Sequence, residues 1–341
     1  MKKRIIVTGG TGYIGSHTAV ELINEGYEVI LIDNLYNSEK EVTGRIAEIT
    51  GTTPELEIFD LCDREKLHDC FGRHRNIDAI IHFAAYKAVG ESVNKPLEYY
   101  RNNLVSLINL LDSMRSFDIP SMVFSSSCTV YGQPEKLPVT EDAPIQPAVS
   151  PYGNTKQIGE EIIRDTVFAE EKISAISLRY FNPIGAHPSA LIGELPRGIP
   201  ENLVPYITQT AYGLRDELKV YGNDYDTPDG SCIRDYLHVV DLAKAHVIAV
   251  ERLIGKRNKK RYEVFNLGTG RGVSVLEAIH AFEKATGIKL RYSITGRRPG
   301  DIEKIWADPG LANRELGWKA LSTLEECMRT AWEWEKNIRK K

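Results

Sequence analysis

Val7-Thr8-Gly9-Gly10-Thr11-Gly12-Tyr13-Ile14-Gly15 follows the apolar pair Ile5-Ile6 and opens a stretch with helical spacing. Gly10, Gly12 and Gly15 satisfy GxGxxG, and Gly9, Gly12 and Gly15 satisfy the related GxxGxxG. A strand that turns through such a run into a helix needs its glycines. One permits the tight turn, one lets a pyrophosphate reach backbone N–H groups, and one lets helix and strand pack closely. The helix N-terminus adds partial positive charge for the phosphates. The next apolar run closes on Leu31-Ile32-Asp33-Asn34, with Asp33 eighteen residues beyond Gly15. A carboxylate there accepts hydrogen bonds from an adenosine ribose and repels the extra phosphate of NADP, so the spacing favours NAD. An aspartate that only starts a turn is the plainer alternative. Asp60, closing Phe59-Asp60-Leu61, suits the adenine edge or, again, a turn.

Outward from this turn, short runs rich in Ile, Val and Phe alternate with helical spacing. Arg4–Thr8, Glu28–Ile32, Leu56–Phe59, Ala79–His82, Met122–Phe124 and Ala175–Leu178 are predicted strands. Ile14–Glu25, Asn37–Ile49, Arg64–His74, Leu97–Phe117 and Asn154–Glu170 are predicted helices. Apolar strands alternating with helices imply an α/β fold, a doubly wound parallel (Rossmann) sheet covered on both faces. After Arg179 the pattern breaks. Residues 182–235 are rich in Pro, Gly, Asn and Asp, with a helix predicted at Leu203–Tyr212; irregular stretches of this length usually build a binding surface. A strand and helix return over Tyr236–Leu253, with a further strand at Tyr262–Leu267. Ser274-Val275-Leu276-Glu277 reads as a capping box opening another helix. The expected organisation is a dinucleotide-binding region over 1–181, with 236–270 returning to it. A smaller α/β substrate-binding region covers most of 182–341 and is laced back into the first. Lys336–Lys341 reads as a solvated tail.

The totals exclude several classes. The 341 residues carry 42% hydrophobic and 26% charged side chains, an ordinary globular composition. A net charge of −4 gives no electrostatic reason to expect nucleic acid or a membrane surface. The N-terminal apolar run breaks at Thr8-Gly9-Gly10, too early for a secretory signal. The five scattered cysteines form no CxxC pair, as expected of free thiols in a reducing cytoplasm. The eight histidines show no HxH or HxxxH spacing, so no metal is expected.

Ser150-Pro151-Tyr152-Gly153-Asn154-Thr155-Lys156 carries the candidate chemistry. Tyr152 and Lys156 are four residues apart, which puts both on one face of a helix. A free phenol, with a pKa of about 10, is a poor base near neutrality. A neighbouring ammonium and a cationic nicotinamide would both favour the phenolate, which could then take a proton from a substrate hydroxyl. A Tyr–Lys pair alone is weak. Its weight comes from Phe124-Ser125-Ser126-Ser127-Cys128-Thr129-Val130-Tyr131-Gly132, at the C-terminal end of a predicted strand, where open α/β sheets place ligands. Ser127 is the hydroxyl expected to hold the reacting group beside Tyr152. A polar turn is the bland reading of the serines.

With these motifs the chain resembles the extended short-chain dehydrogenase/reductases, and within them the UDP-glucose 4-epimerases, from Arg4 to about Trp334. The resemblance rests on TGGTGYIGSHT, HFAAYKAVGES, PLEYYRNN, FSSSCTVYG, SPYGNTK, RYFNPIGAHPS, YGNDYDTPDG, RDYLHVVDLA and RRPGDIEKIWAD. It implies tightly bound NAD and inversion at C4 of a UDP-hexose, UDP-glucose or UDP-galactose, through a 4-keto intermediate. Tyr152 would be the base, Lys156 its partner and Ser127 the assisting hydroxyl, all three also touching the cofactor. Further NAD contacts would fall on Gly9, Gly12, Tyr13, Ile14, Gly15, Asp33, Asn34, Asn37, Asp60, Leu61, Phe83, Ala84, Ala85, Lys87, Asn102 and Phe181. The UDP-sugar would meet Ser127, Tyr152, Asn182, Asn202, Leu203, Tyr221, Arg234, Arg298 and Asp301, the arginines offering forked donors to the phosphates. A homodimer pairing through Leu97–Phe117 and Asn154–Glu170 is also implied.

Two positions depart from the family pattern. The residue before Trp-Ala-Asp sizes the sugar pocket; it is Ile305, between the bulky and small residues of relatives, which leaves N-acetylated UDP-hexosamines open. Cys128 replaces a smaller residue. Three other activities compete. A nucleotide-sugar 4,6-dehydratase needs a carboxylate pair just after the catalytic hydroxyl, where Cys128-Thr129-Val130 offers none. A non-catalytic NAD-binding sensor would tend to lose the Tyr–Lys pair. A simple alcohol dehydrogenase would not need the Asn- and Arg-rich second half.

Overall fold

Ile5, Ile6 and Val7 lose all solvent exposure, as β-branched residues on consecutive positions do in a strand covered on both faces. In the computed structural model residues 2–298 and 301–340 are described. Met1, Pro299 and Gly300 of the late RRPG segment, and Lys341 of the expected tail, lie outside them. The chain forms two compact units, 1–133 with 144–180 and 243–265, and 134–143 with 181–242 and 266–341.

The first unit alternates β1 (Arg4–Thr8), α1 (Tyr13–Asn24), β2 (Glu28–Asp33), α2 (Val42–Thr50), β3 (Glu55–Ile58), α3 (Arg64–Arg73) and β4 (Ala79–His82). Then come α4 (Val89–Asn94), α5 (Pro96–Tyr100), a π turn (Arg101–Val105), α6 (Ser106–Ser116), β5 (Ser121–Ser127), a 3-10 turn (Cys128–Tyr131), α7 (Pro151–Ala169) and β6 (Ser174–Tyr180). The second holds β7 (Asn182–Ile184), α8 (Leu203–Tyr212), β8 (Leu218–Tyr221), β9 (Ile233–Arg234) and β10 (Tyr236–His238). α9 (Val239–Ile254) and β11 (Tyr262–Leu267) cross the unit boundaries. β12 (Val273–Ser274), α10 (Val275–Thr286), β13 (Tyr292–Thr295), α11 (Gly310–Glu315) and α12 (Leu324–Arg339) complete the second unit.

The seven-stranded sheet has the order β11-β6-β5-β4-β1-β2-β3. The β1–β2, β1–β4, β2–β3, β4–β5 and β5–β6 pairings are all parallel. The order reverses between β1 and β4, the switch point at which such sheets bind ligands. Ile6, Ile30, Ile80 and Phe124 from the strands pack with Leu67, Phe71, Leu110, Met114 and Ile163 from the helices. Each such side chain contributes ~1.5–3 kcal/mol on burial. The second unit has its own core, built on Val204, Ile207, Val220, Ile279, Phe282 and Met328.

Several elements differ from their predicted bounds. α2 starts at Val42 rather than Asn37, because the Asp33 carboxylate holds the Leu35 N–H at 2.9 Å and the Ser38 hydroxyl at 3.0 Å and keeps that stretch a loop. The single helix predicted over Leu97–Phe117 is α5, the π turn and α6. β5 runs on through Ser127, so the serines are strand and not turn. α7 begins at Pro151, capped by Ser150 Oγ accepting from Gly153 N at 3.2 Å, which places Tyr152 in its first turn. The tail is helical to Arg339, with Lys336 paired to Glu333 and Arg339 to Glu335, each at 2.8 Å.

Candidate functional site

The loop after β1 is a cradle that side chains cannot enter. Gly9 has φ +66°, and a Cβ there would lie 2.8 Å from Ala84 N. A Cβ on Gly15 would strike Gly9 O. Gly12 is the N-cap of α1 and no side chain caps that end. Its first N–H groups therefore offer donors to a pyrophosphate. Phe83 N donates to Thr8 O at 3.1 Å, which carries Phe83, Ala84 and Ala85 past the same loop from β4. This glycine cradle at the switch point fits a dinucleotide.

Asp33 is 9% exposed at the end of β2. Oδ1 accepts from Leu35 N and Ser38 Oγ, and Oδ2 from Thr11 N at 3.2 Å. A carboxylate accepts about four hydrogen bonds, so Asp33 shapes its loop and keeps capacity for a ribose hydroxyl. Asn34 Nδ2 donates to Asp60 Oδ2 at 3.2 Å, while Asp60 Oδ1 accepts from Cys62 N at 2.8 Å. Asp60 thus performs the turn chemistry weighed for it. Leu61 is buried; Asn37 and Lys87 are exposed. Asn102 lies in the π turn and donates to Asn103 Oδ1 at 3.0 Å. Asn103, which the sequence did not single out, accepts from Tyr86 N and donates to Tyr86 O and to Thr155 Oγ1. It ties the stretch after Ala85 to the helix that carries Tyr152. π turns recur at functional sites but have no sequence signature.

Tyr152 and Lys156 share one face of α7. Lys156 is 4% exposed; its Nζ donates to Ser125 O at 2.6 Å and stands 4.8 Å from the Phe124 ring centroid and 5.9 Å from that of Tyr152. Burial lowers it to about 8, and the nearby Glu160 carboxylate opposes that shift. Burial raises the Tyr152 phenol above its usual value, Tyr180 adds to this, and a hydrogen bond from Ser127 works the other way. The ammonium was expected to lower the phenol, but burial outweighs everything else around it. A bound cationic ring is the group whose charge would favour the phenolate here. Behind the pair, Thr8 Oγ1 meets His82 Nδ1 at 2.8 Å, and burial followed by Lys156 takes His82 down to about 3, leaving it neutral. Ser126 donates to Glu160, which pairs with Arg179. These buried partners escaped the sequence reading because they are distant in the chain.

The second unit holds the residues expected on a nucleotide-sugar other than Ser127 and Tyr152. Asn182 opens β7, and its buried Oδ1 accepts no hydrogen bond among the described residues, leaving a polar atom for a ligand. Asn202 precedes α8 without capping it and donates instead to Glu194 at 2.7 Å, while Leu203 starts that helix. Its N–H groups suit phosphate. Tyr221 ends β8, 40% exposed, with the Arg298 guanidinium 5.5 Å from its ring. Arg298 and Asp301 form an ion pair at 2.7 Å, so the two are brought to each other and not left separate as donor and acceptor. Arg234 Nη1 donates to Ile233 O at 2.8 Å, and Ile305, 2% exposed, pairs its N–H with the same oxygen at 3.2 Å. Phe181 is buried, its N–H on Leu267 O. Asp235, missed in the sequence, is fully buried and accepts from Thr269 N and Oγ1, Gly270 N and Ala307 N. It locks the strand of Arg234 to the segment that carries Ile305.

One cluster of metal-ligand type occurs among the described residues, Glu57, Cys70 and His74, with ligand atoms within 4.8 Å of one another. Arg73 already holds both Glu57 oxygens at 2.8 Å and burial pushes the Cys70 thiol up to about 12, so the group behaves as an ion-pair cluster.

A family model described as GDP-mannose 4,6 dehydratase matches residues 6–331. The chain is 52% identical over 331 residues to UDP-glucose 4-epimerase of Bacillus subtilis, covering 97% of this chain and 96% of that one. Among solved structures it is similar to UDP-glucose 4-epimerase from Bifidobacterium longum in complex with NAD+ and UDP, with TM-score 0.94, 47% identity and 99% of each chain covered. UDP-glucose-4-epimerase from Stenotrophomonas maltophila, with bound NAD and formylated UDP-arabinopyranose, matches with TM-score 0.95 at 47% identity, again over 99% of each chain.

Proposed function

The chain belongs to the UDP-glucose 4-epimerases of the extended short-chain dehydrogenase/reductases, and from that premise we propose that it interconverts UDP-glucose and UDP-galactose by inverting C4 through a 4-keto intermediate. The observation that carries the mechanism is the arrangement of Ser127, Tyr152 and Lys156 where β5 ends and α7 begins. Its cofactor is NAD, which when bound accepts hydrogen from C4 and returns it. The glycine cradle and α1 N-terminus would hold the pyrophosphate, and Asp33 the ribose.

Tyr152 takes the proton of the 4-hydroxyl and later gives it back. Ser127 hydrogen bonds to that oxygen and fixes it against the phenol. Lys156 supplies the positive charge that favours the phenolate, and its hydrogen bond to Ser125 O keeps the ammonium from folding away. In the second unit Asn182, Asn202, Leu203, Tyr221, Arg234, Arg298 and Asp301 bind the nucleotide. A firm hold on UDP and a loose one on the hexose let the 4-keto sugar present either face.

The matched dehydratase model does not carry that activity over. Elimination across C5–C6 needs a carboxylate next to Ser127, and Cys128 and Thr129 stand there. The proposal includes N-acetylated UDP-hexosamines as second substrates, since Ile305 is smaller than the aromatic residue that closes the pocket in relatives restricted to glucose and galactose. It also includes a homodimer: Val93 (60% exposed) on α4, Leu97 (76%) on α5, Ile108 (46%) on α6 and Phe168 (83%) on α7 are apolar side chains facing solvent. No described helix is long and apolar enough to cross a membrane, and the free cysteines suit a cytoplasmic setting, which is part of the proposal.

Proton NMR of the purified protein with UDP-galactose tests this reading. Conversion to a fixed mixture with UDP-glucose is expected, and a parallel UDP-N-acetylgalactosamine sample tests what Ile305 admits. No conversion after NAD is added would sink it.

A further inference from the structure

The functional face of α7 continues beyond Lys156. Tyr152, Lys156 and Glu160 fall at i, i+4 and i+8, one stripe of the helix. Glu160 is buried, and a buried carboxylate needs partners. Its Oε1 accepts from Ser126 Oγ at 2.5 Å and from Arg179 Nε at 2.9 Å, and its Oε2 from Arg179 Nη2 at 2.5 Å. Ser126 and Arg179 are register partners on β5 and β6. Arg179 Nη1 in turn donates to Tyr131 Oη at 2.9 Å. One carboxylate therefore ties α7 to the residue before Ser127 and, through Arg179, to the end of the 3-10 turn after it. The three serines are matched in succession: Lys156 on Ser125 O, Glu160 on Ser126 Oγ, and Tyr152 with Ser127.

We propose that Glu160 is a positioning residue for this reaction, holding Ser127 and Lys156 in register with Tyr152 and keeping the Lys156 ammonium charged. The proposal rests on the reading of Tyr152 as the base. The Glu160 carboxylate is the charge that opposes the burial of Lys156, whose pKa lies at about 8. The other titratable groups around the pair do not replace it. His82 on β4 is neutral, and Tyr180 on β6 is pushed up to about 12 by burial. Tyr99 and Cys128 raise the Tyr152 phenol further. Arg179 is engaged with both Tyr131 and Glu160. Glu160 also sits one turn from Lys156 on the same helix, near enough for its charge to act on the ammonium while Ser126 and Arg179 hold its oxygens.

The test is NMR titration of the full chain with 13Cε-labelled lysine, the Lys156 resonance being identified by its loss in Lys156→Arg, alongside the pH profile of kcat with UDP-galactose. Glu160→Gln alone strands a buried guanidinium and can fail to fold, so the informative variants are Glu160→Gln/Arg179→Met, which removes both charges, and Glu160→Asp, which keeps the charge on a shorter arm. In the double variant Lys156 is expected to titrate about one pH unit lower, with the alkaline limb of kcat moving down alongside and KM changing little. Glu160→Asp should keep both midpoints while kcat falls about tenfold, a modest loss of orientation. An unmoved Lys156 midpoint in the folded double variant, or an unchanged kcat in Glu160→Asp, would overturn the proposal. Wild-type conversion in the same assay separates the two claims: its absence refutes the parent reading, while the lysine titration still reports on Glu160.

Discussion

Replacing Tyr152 with Phe removes one oxygen from the site and keeps the ring that lies 5.9 Å from Lys156. General acid–base catalysis by a placed side chain is worth roughly 10²–10⁴-fold. Tyr152→Phe is therefore expected to lower kcat by that factor while UDP binding, followed by calorimetry, stays within about twofold, since the proposed nucleotide contacts lie elsewhere. A variant retaining a tenth or more of the activity would remove Tyr152 from the role of base. At this scale the sequence was informative where chemistry is local. That Tyr152, Lys156 and Ser127 come together could be read from spacing and position. Glu160, Arg179 and Asp235 could not, because their partners are far away in the chain and a lone Glu or Arg reads as a surface charge. Arg298 and Asp301 were singled out as separate donor and acceptor, but not as a pair.

Among the elements, the π turn does most to connect the two ends of the first unit's site. Asn103 reaches from it to both backbone groups of Tyr86 and to Thr155 on α7. Asn103→Ala would leave these buried and part-buried groups short of partners, at a cost of up to about 1–3 kcal/mol for an unsatisfied group. The expected result is a lower Tm, read by calorimetry, together with weaker NAD retention as the stretch from Phe83 to Lys87 loosens. Unchanged NAD affinity with a lowered Tm would restrict Asn103 to a structural role. Element boundaries failed in the sequence reading where a distant side chain decides them. Asp33 draws Ser38 into its loop and delays α2. The helix predicted through Leu97–Phe117 was correct in its type, but hydrophobic spacing carries no trace of one inserted residue in a turn.

For the whole molecule, the fold was legible because parallel strands buried on both faces leave continuous apolar runs, and β1, β2 and β4 are such runs. The second unit was less legible. Its β7–β10, β9–β12 and β8–β13 pairs are two-stranded, and β9 and β12 have two residues each, too short for periodicity to register. The proposed dimer belongs to this scale. Leu97→Asp with Phe168→Asp puts charges on two exposed apolar positions, and sedimentation is expected to show a dimer for the wild type and a monomer for this variant. A wild-type monomer would end the dimer proposal without touching the chemistry.

The central claim is that C4 is oxidised and reduced in place, its hydrogen leaving for bound NAD and returning to the opposite face. UDP-galactose deuterated at C4 tests this most directly. Run to equilibrium in ordinary water and followed by NMR and mass spectrometry, the deuterium should remain at C4 in both UDP-glucose and UDP-galactose. Its replacement by solvent hydrogen at the rate of epimerisation would contradict the account, because C4 would then be losing a proton to water.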